Sequence, residues 1–288
     1  MRIALINSGL GLLAAAAEVH RLRPDADLVL AMDPDGMPWG PRTPDDIVGR
    51  SLACARAAAA YLPDALVFAC NTASVHALGA LRAEFEPGIP VVGTVPAIKP
   101  AAACSDSVAI WATVATTGSR YQRQLIADFA ASAQVTEVAC PGLADAIDAG
   151  YGDATQAAVT TAAASTPEDC GAVVLGCTEY ELAADLIGAA LPGTTLFGSA
   201  TAVAAQALRR ASTGERRPGA GPLSAPAGGT AGRPQPVLPG TLQVLLSGRQ
   251  ADLPPAALRY PSGRLLARLA QAPASTATTT GRHPARLP

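Results

Sequence analysis

Among the residues able to do chemistry, the six cysteines at 54, 70, 104, 140, 170 and 177 come first, and two of them share a local design. Cys70 closes the run VFAC and precedes Asn71-Thr72-Ala73-Ser74, while Cys177 closes VVLGC and precedes Thr178-Glu179-Tyr180. Each thiol stands where an apolar strand gives way to a helix. In open α/β sheets ligands bind beyond the carboxyl ends of the strands, so both thiols are delivered to the edge that receives substrates. Helix N-termini there present free N–H groups and a positive dipole end, which hold a carboxylate and lower a thiol's pKa. Two thiols suit inversion of a stereocentre next to a carboxylate, because one face must lose a proton while the other gains one. One sulfur must then be thiolate while the other is protonated. A free cysteine near pKa ~8.5 needs its neighbours to tune it for that task at neutral pH.

A lone buried cysteine is ordinarily a small apolar side chain. Cys54 and Cys104 are read that way, and so is Cys140, which runs into Pro141-Gly142 without a hydroxyl neighbour. No C-x-x-C pair occurs and the only imidazoles are His20, His76 and His283, a poor pattern for zinc, so no metal is expected. The stretch IALINSGLGLLAAAA follows a single Arg2 and contains the turn Asn7-Ser8-Gly9, which suits a buried strand rather than an export signal. The thiols are therefore expected to stay reduced in a cytoplasm.

The elements that must carry these residues follow from periodicity. From residue 2 to about 211, short apolar β-branched runs alternate with alanine-rich stretches of helical spacing, the pattern of parallel sheets covered on both faces. Strands are expected at Arg2–Asn7, Asp27–Met32, Ala65–Cys70, Pro90–Val95, Ser107–Thr113, Val135–Cys140, Ala172–Cys177 and Thr195–Gly198. Eight strands fit two doubly wound sheets better than one, with 97–103 read as a crossover between halves. This predicts one α/β domain from residues 1–98 plus about 197–212, and a second from 99–196. After Arg210 the sequence STGERRPGAGPLSAPAGGTAGRPQP has linker composition, so residues 213–288 are expected to form a flexible extension whose removal leaves the fold intact. Within it only the apolar run Thr241–Leu246 and a short helix over 263–270 interrupt that composition.

Composition narrows the partners. Of 288 residues, 49% are hydrophobic and 15% charged, with a formal net charge of −2, so the chain is globular and offers no basic surface for nucleic acid. No apolar run reaches the ~18 residues that a membrane span needs. A small metabolite is the expected partner.

The ordered motifs resemble those of the aspartate/glutamate racemase superfamily, and of its glutamate racemases in particular, across roughly residues 1–211. They are Asn7-Ser8-Gly9-Leu10-Gly11; Pro38-Trp39-Gly40; Cys70 through Ser74; Val92 through Pro100; Thr113 through Tyr121; Cys140-Pro141-Gly142-Leu143; and Gly176 through Tyr180. The resemblance implies two flavodoxin-like domains with the active site between them, commonly a homodimer, and racemisation without pyridoxal or metal to make D-glutamate for peptidoglycan. It assigns proton transfer to Cys70 and Cys177. It gives the substrate's charged groups to Ser8, Pro38, Trp39, Gly40, Asn71, Thr72, Thr116, Thr117 and Thr178. Departures cluster at the thiols. The family's aspartate beside the first cysteine is Asn7, the histidine after the second is Glu179, the assisting glutamate is Asp148, Pro-Tyr-Gly is Pro-Trp-Gly, and the aspartate opening the last helix is Gly198. Asn7 cannot take a proton, and a carboxylate at Glu179 disfavours a thiolate at Cys177. Three readings stay open at this point: an amino-acid racemase acting on glutamate, aspartate or a relative, with glutamate foremost; an isomerase or racemase of the superfamily acting on a different carboxylic acid; or a binding or regulatory protein that keeps the pocket without the activity.

Overall fold

The computed structural model describes residues 1–213 and 239–270. The apolar β-branched runs become inner strands. β1 (Arg2–Asn7) lies between β2 (Asp27–Met32) and β3 (Ala65–Phe68), with Ile3 facing Leu28 on one side and Ala65 on the other. β4 (Val91–Gly93) extends this parallel sheet beside β3. Strands covered on both faces read as continuous apolar runs, and five of the six residues of β1 are buried.

Helices return the chain between strands: α1 (Leu12–Leu22), α2 (Pro44–Ala59), α3 (Asn71–His76) and α4 (Leu78–Phe85). The start of α2 is written locally. Thr43 accepts the Asp46 N–H at 3.3 Å, Pro44 occupies the first turn, and Asp45 and Asp46 complement the positive end of the helix. α5 (Ile98–Cys104) leads into a second parallel sheet of order β6-β5-β7-β8, built from β5 (Ser107–Ala112), β6 (Gln134–Ala139), β7 (Ala172–Leu175) and β8 (Thr195–Phe197). Its connections are α6 (Arg120–Phe129), α7 (Leu143–Asp148), α8 (Asp153–Ala164), a 3-10 turn over Thr178–Ala183 and α9 (Ala184–Ala190). α10 (Ala200–Thr213) then returns to the first sheet, packing on α1 and β3 through Val203, Ala204 and Ala207. The two α/β sheets of the expected fold are thus present.

The extension is where expectation and structure part. β9 (Leu242–Leu246) lies parallel to β2, pairing Leu28 with Leu242 through Met32 with Leu246, and β10 (Arg249–Ala251) folds back on it, giving the first sheet the order β10-β9-β2-β1-β3-β4. α11 (Pro261–Ala270) packs on α1 with Leu266 and Leu269 buried. The flexible extension predicted over 213–288 is therefore corrected for residues 239–270, because β2 offers an apolar edge and α11 an apolar stripe that water would otherwise meet. Residues 214–238 and 271–288 lie outside the described residues. One apolar cluster joins Ile3 and Leu5 of the first sheet, Trp111 and Val138 of the second, and Tyr260 and Leu266 of the C-terminal segment. No helix among the described residues is long and apolar enough to cross a membrane.

Candidate active site

A cavity of about 240 Å³ opens where the two sheets face each other, beyond the carboxyl ends of their strands. Residues that follow β1 (Ser8), β3 (Cys70, Asn71, Thr72), β5 (Thr113 to Thr116), β6 (Cys140 to Gly142) and β7 (Gly176 to Glu179) line it, together with Pro38, Trp39, Gly40 and Asp148. Both candidate thiols therefore reach one cavity from different sheets. Of the other expected substrate contacts, Thr117 is not in the lining and donates its hydroxyl to the Thr113 carbonyl at 3.0 Å. Asn7 lies fully buried behind the wall rather than in it.

The strands stop short of the thiols. Cys70 and Cys177 are the extended residues that precede α3 and the 3-10 turn, with φ of −151° and −127°. The expected lowering of their pKa by helix ends is outweighed. The Thr72 and Ala73 N–H groups and the Thr72 hydroxyl do favour a Cys70 thiolate, yet burial, and secondarily the charge of Glu179, push that thiol up to about 12. Burial and then Glu179 also hold the Cys177 thiol well above its ordinary value. Cys177 Sγ donates to Glu179 Oε2 at 2.8 Å, so the proton sits on sulfur with a carboxylate ready to accept it.

Asn7 organises this pair. Its Oδ1 accepts the Ser8 N–H at 2.6 Å, while its Nδ2 donates to Ala69 O at 2.7 Å, Thr178 Oγ1 at 3.1 Å and Glu179 Oε1 at 3.2 Å. Amide and carboxylate complement each other, and the group able to take a proton stands beside Cys177. Gly11 is part of the same arrangement, because a Cβ there collides with Asn7, Thr178 and Glu179 at once. Asp148 accepts the Leu10 N–H at 2.7 Å, and burial followed by the charge of Glu179 raises its carboxyl to about 8. This environment favours the protonated form of Asp148. Asn71 Nδ2 donates to Gly176 O at 2.6 Å, which leaves its buried Oδ1 without a protein partner.

Sequence reasoning missed several features. Cys140, read as structural, lines the cavity. Glu181 was not singled out, although it accepts the Ser199 and Ala200 N–H groups at 2.8 and 3.1 Å and so caps α10. The absence of a side chain at Gly198 makes this cap possible, because a Cβ there runs into the Glu181 carboxylate. Asp33 was missed too; it accepts the Trp39 indole N–H at 2.9 Å and an Arg50 N–H at 3.1 Å.

Known proteins share this architecture. The family described as Asp/Glu/hydantoin racemase matches residues 6–207. The glutamate racemase of Roseiflexus sp. (strain RS-1) is 38% identical over 209 residues, 71% of this chain and 76% of the relative. That of Pseudomonas putida (strain W619) is 34% identical over 213 residues, covering 72% and 80%. The crystal structure of Escherichia coli glutamate racemase, in complex with L-glutamate and the activator UDP-MurNAc-Ala, superposes with a TM-score of 0.72 at 28% identity, covering 90% of this chain and 91% of that one.

Proposed function

The chain belongs to the Asp/Glu/hydantoin racemase family, and on that premise we propose that it is a glutamate racemase, an isomerase that inverts Cα with Cys70 and Cys177. The observation that carries this reading is that the two thiols reach one small cavity from different sheets. The thiolate of one cysteine takes the Cα proton. The electron pair of the broken C–H bond is held next to the substrate carboxylate, and the other thiol gives its S–H proton to the opposite face. A new C–H bond forms and the negative charge has moved from one sulfur to the other, so turnover in the reverse direction restores the starting state.

Glu179 readies Cys177, since its Oε2 already accepts the thiol proton. Cys70 has no such base and relies on the Thr72 hydroxyl and the Thr72 and Ala73 N–H groups to stabilise its thiolate. The free Asn71 Oδ1 suits the substrate ammonium. Ser8, Thr72, Thr116 and Thr178 supply neutral donors for carboxylates, and Pro38, Trp39 and Gly40 form the facing wall. Residues 1–98 with 197–212 act as one domain and 99–196 as the other, in a cytoplasmic homodimer whose D-glutamate supplies peptidoglycan.

Incubating the protein in deuterium oxide with L- or D-glutamate tests this: solvent deuterium enters Cα and optical rotation decays, while Cys70→Ser and Cys177→Ser each lose the activity. Full racemisation by both variants refutes the two-thiol reading. One observation favours a second substrate reading, namely that Asp145, Asp148 and Glu179 line the cavity while, among the described residues, no Lys, Arg or His does. An acid bearing a hydrogen-bond donor in place of the second carboxylate suits that wall, and including such acids in the same exchange panel separates the two.

A further inference from the structure

Trp39 is fully buried, forms part of the cavity wall, and is held by a carboxylate that no motif pointed to. Asp33 Oδ2 accepts the indole N–H at 2.9 Å and an Arg50 N–H at 3.1 Å. The Asp33 backbone N–H donates to Ser8 O at 3.1 Å, so the same residue also ties down the loop of cavity-lining Ser8. Its second oxygen, Oδ1, accepts the hydroxyl of Ser247 at 3.2 Å. Ser247 belongs to the turn between β9 and β10, 214 residues away, and bonds twice more to the segment around Asp33. Its N–H donates to Met32 O at 2.8 Å, and its hydroxyl accepts the Asp35 N–H at 3.2 Å. Arg249 pairs with Asp35 at 2.9 Å beside it.

The backbone at Ser247 gives this contact its meaning. Leu246 pairs with Arg249, so Ser247 and Gly248 form a two-residue hairpin turn, and both have positive φ, 46° and 77°. Such turns favour Asn-Gly or Gly-Gly, because residues with a Cβ are strained there. A serine held in that conformation, with its hydroxyl shared between Asp33 and Asp35, is explained by the contact rather than by the turn.

We infer that Asp33 is a positioning residue that fixes Trp39 in the substrate wall, and that the C-terminal hairpin, through the Ser247 hydroxyl, holds Asp33 in place. The inference rests on the cavity being the racemase site. It gives the segment 239–270 a part in substrate binding although none of its described residues lines the cavity.

Ser247→Gly is the informative variant, since it removes the hydroxyl while relieving the backbone, so the turn is kept or strengthened. The expected result is a KM for both glutamate enantiomers raised about fivefold to tenfold, the loss of one hydrogen bond. The kcat stays within about twofold, the melting temperature does not fall, and acrylamide quenching of tryptophan fluorescence increases as Trp39 loosens. Asp33→Asn, which removes the charge facing Arg50 and weakens the hold on Trp39, shifts KM in the same direction and by more. An unchanged KM and unchanged quenching in Ser247→Gly overturn the inference. So does a fall in kcat and melting temperature together with KM unmoved, which marks a purely structural role. If the parent chain racemises nothing, the functional reading fails, while the quenching comparison still decides whether Ser247 positions Trp39.

Discussion

Replacing Asn7 by aspartate, the residue that the sequence resemblance implies at this position, sets a second carboxylate against Glu179, whose Oε1 lies 3.2 Å from Asn7 Nδ2. At that separation and an effective dielectric near 20, two unit charges repel by about 5 kcal/mol. Taking up a proton is less costly. An aspartate with an ordinary pKa near 3.9 that is forced to stay protonated at pH 7 loses about 1.4 kcal/mol per unit, or about 4 kcal/mol. The folded-state pKa is raised, so the penalty is absent below about pH 3.9 and grows as pH rises, reaching about 1.5 kcal/mol at pH 5. Urea denaturation of parent and Asn7→Asp at pH 5 and pH 7 reads this difference directly. The variant is expected to lose about 2.5 kcal/mol more at pH 7 than at pH 5, relative to the parent. Adding Glu179→His removes the opposing carboxylate and recovers most of the loss. A penalty equal at both pH values, or none, refutes the reasoning, because it means that Asn7 and Glu179 do not act as an amide–carboxylate pair.

Two other outcomes follow from the same electrostatics and from the packing. Asp148, raised to about 8, is a group whose folded-state pKa exceeds its unfolded value, so the parent's stability falls as pH climbs from about 4 to 8; Asp148→Asn, which still accepts from Leu10 N, flattens that slope in pH-dependent thermal melts. Ending the chain at residue 238 removes Val244, Leu245, Tyr260, Leu266 and Leu269 from the core, each worth about 1.5–3 kcal/mol of burial, a sum comparable to the stability of a whole domain. Such a truncation is expected to bind hydrophobic dyes and melt without cooperativity, as calorimetry and dye fluorescence will show.

How much of this was legible depended on whether the determining contacts were local. β1 and β2 were delimited to the residue by their apolar runs, and Cys70 and Cys177 stood out because strand, thiol and hydroxyl neighbour recur in sequence. The crossover expected over 97–103 contains the helix α5, whose Pro100 falls in the first turn, where a proline sacrifices no hydrogen bond. The pairing of Asn7 with Glu179 crosses 172 residues, and the capping of α10 by Glu181 depends on space left at Gly198, so neither had a local signal. The run Leu242–Leu246 was visible, but its surroundings read as linker, and only the free edge of β2 makes it a strand. Asp33 lacked any cue beyond its place five residues before Pro38.

β9 also fixes an order of events during synthesis. β2 emerges from the ribosome early, with β1 beside it, but its other neighbour is made only after more than 200 further residues. Until then Leu28 to Met32 present an unpaired parallel edge, the kind of surface that recruits strands from other chains. The nascent chain is therefore most exposed to misassembly while its central residues are being translated, and holdase chaperones that bind apolar edges would find their target at β2 throughout that interval. Closing the sheet is a late, long-range step, and it completes the support behind Trp39 only after Ser247 has been made.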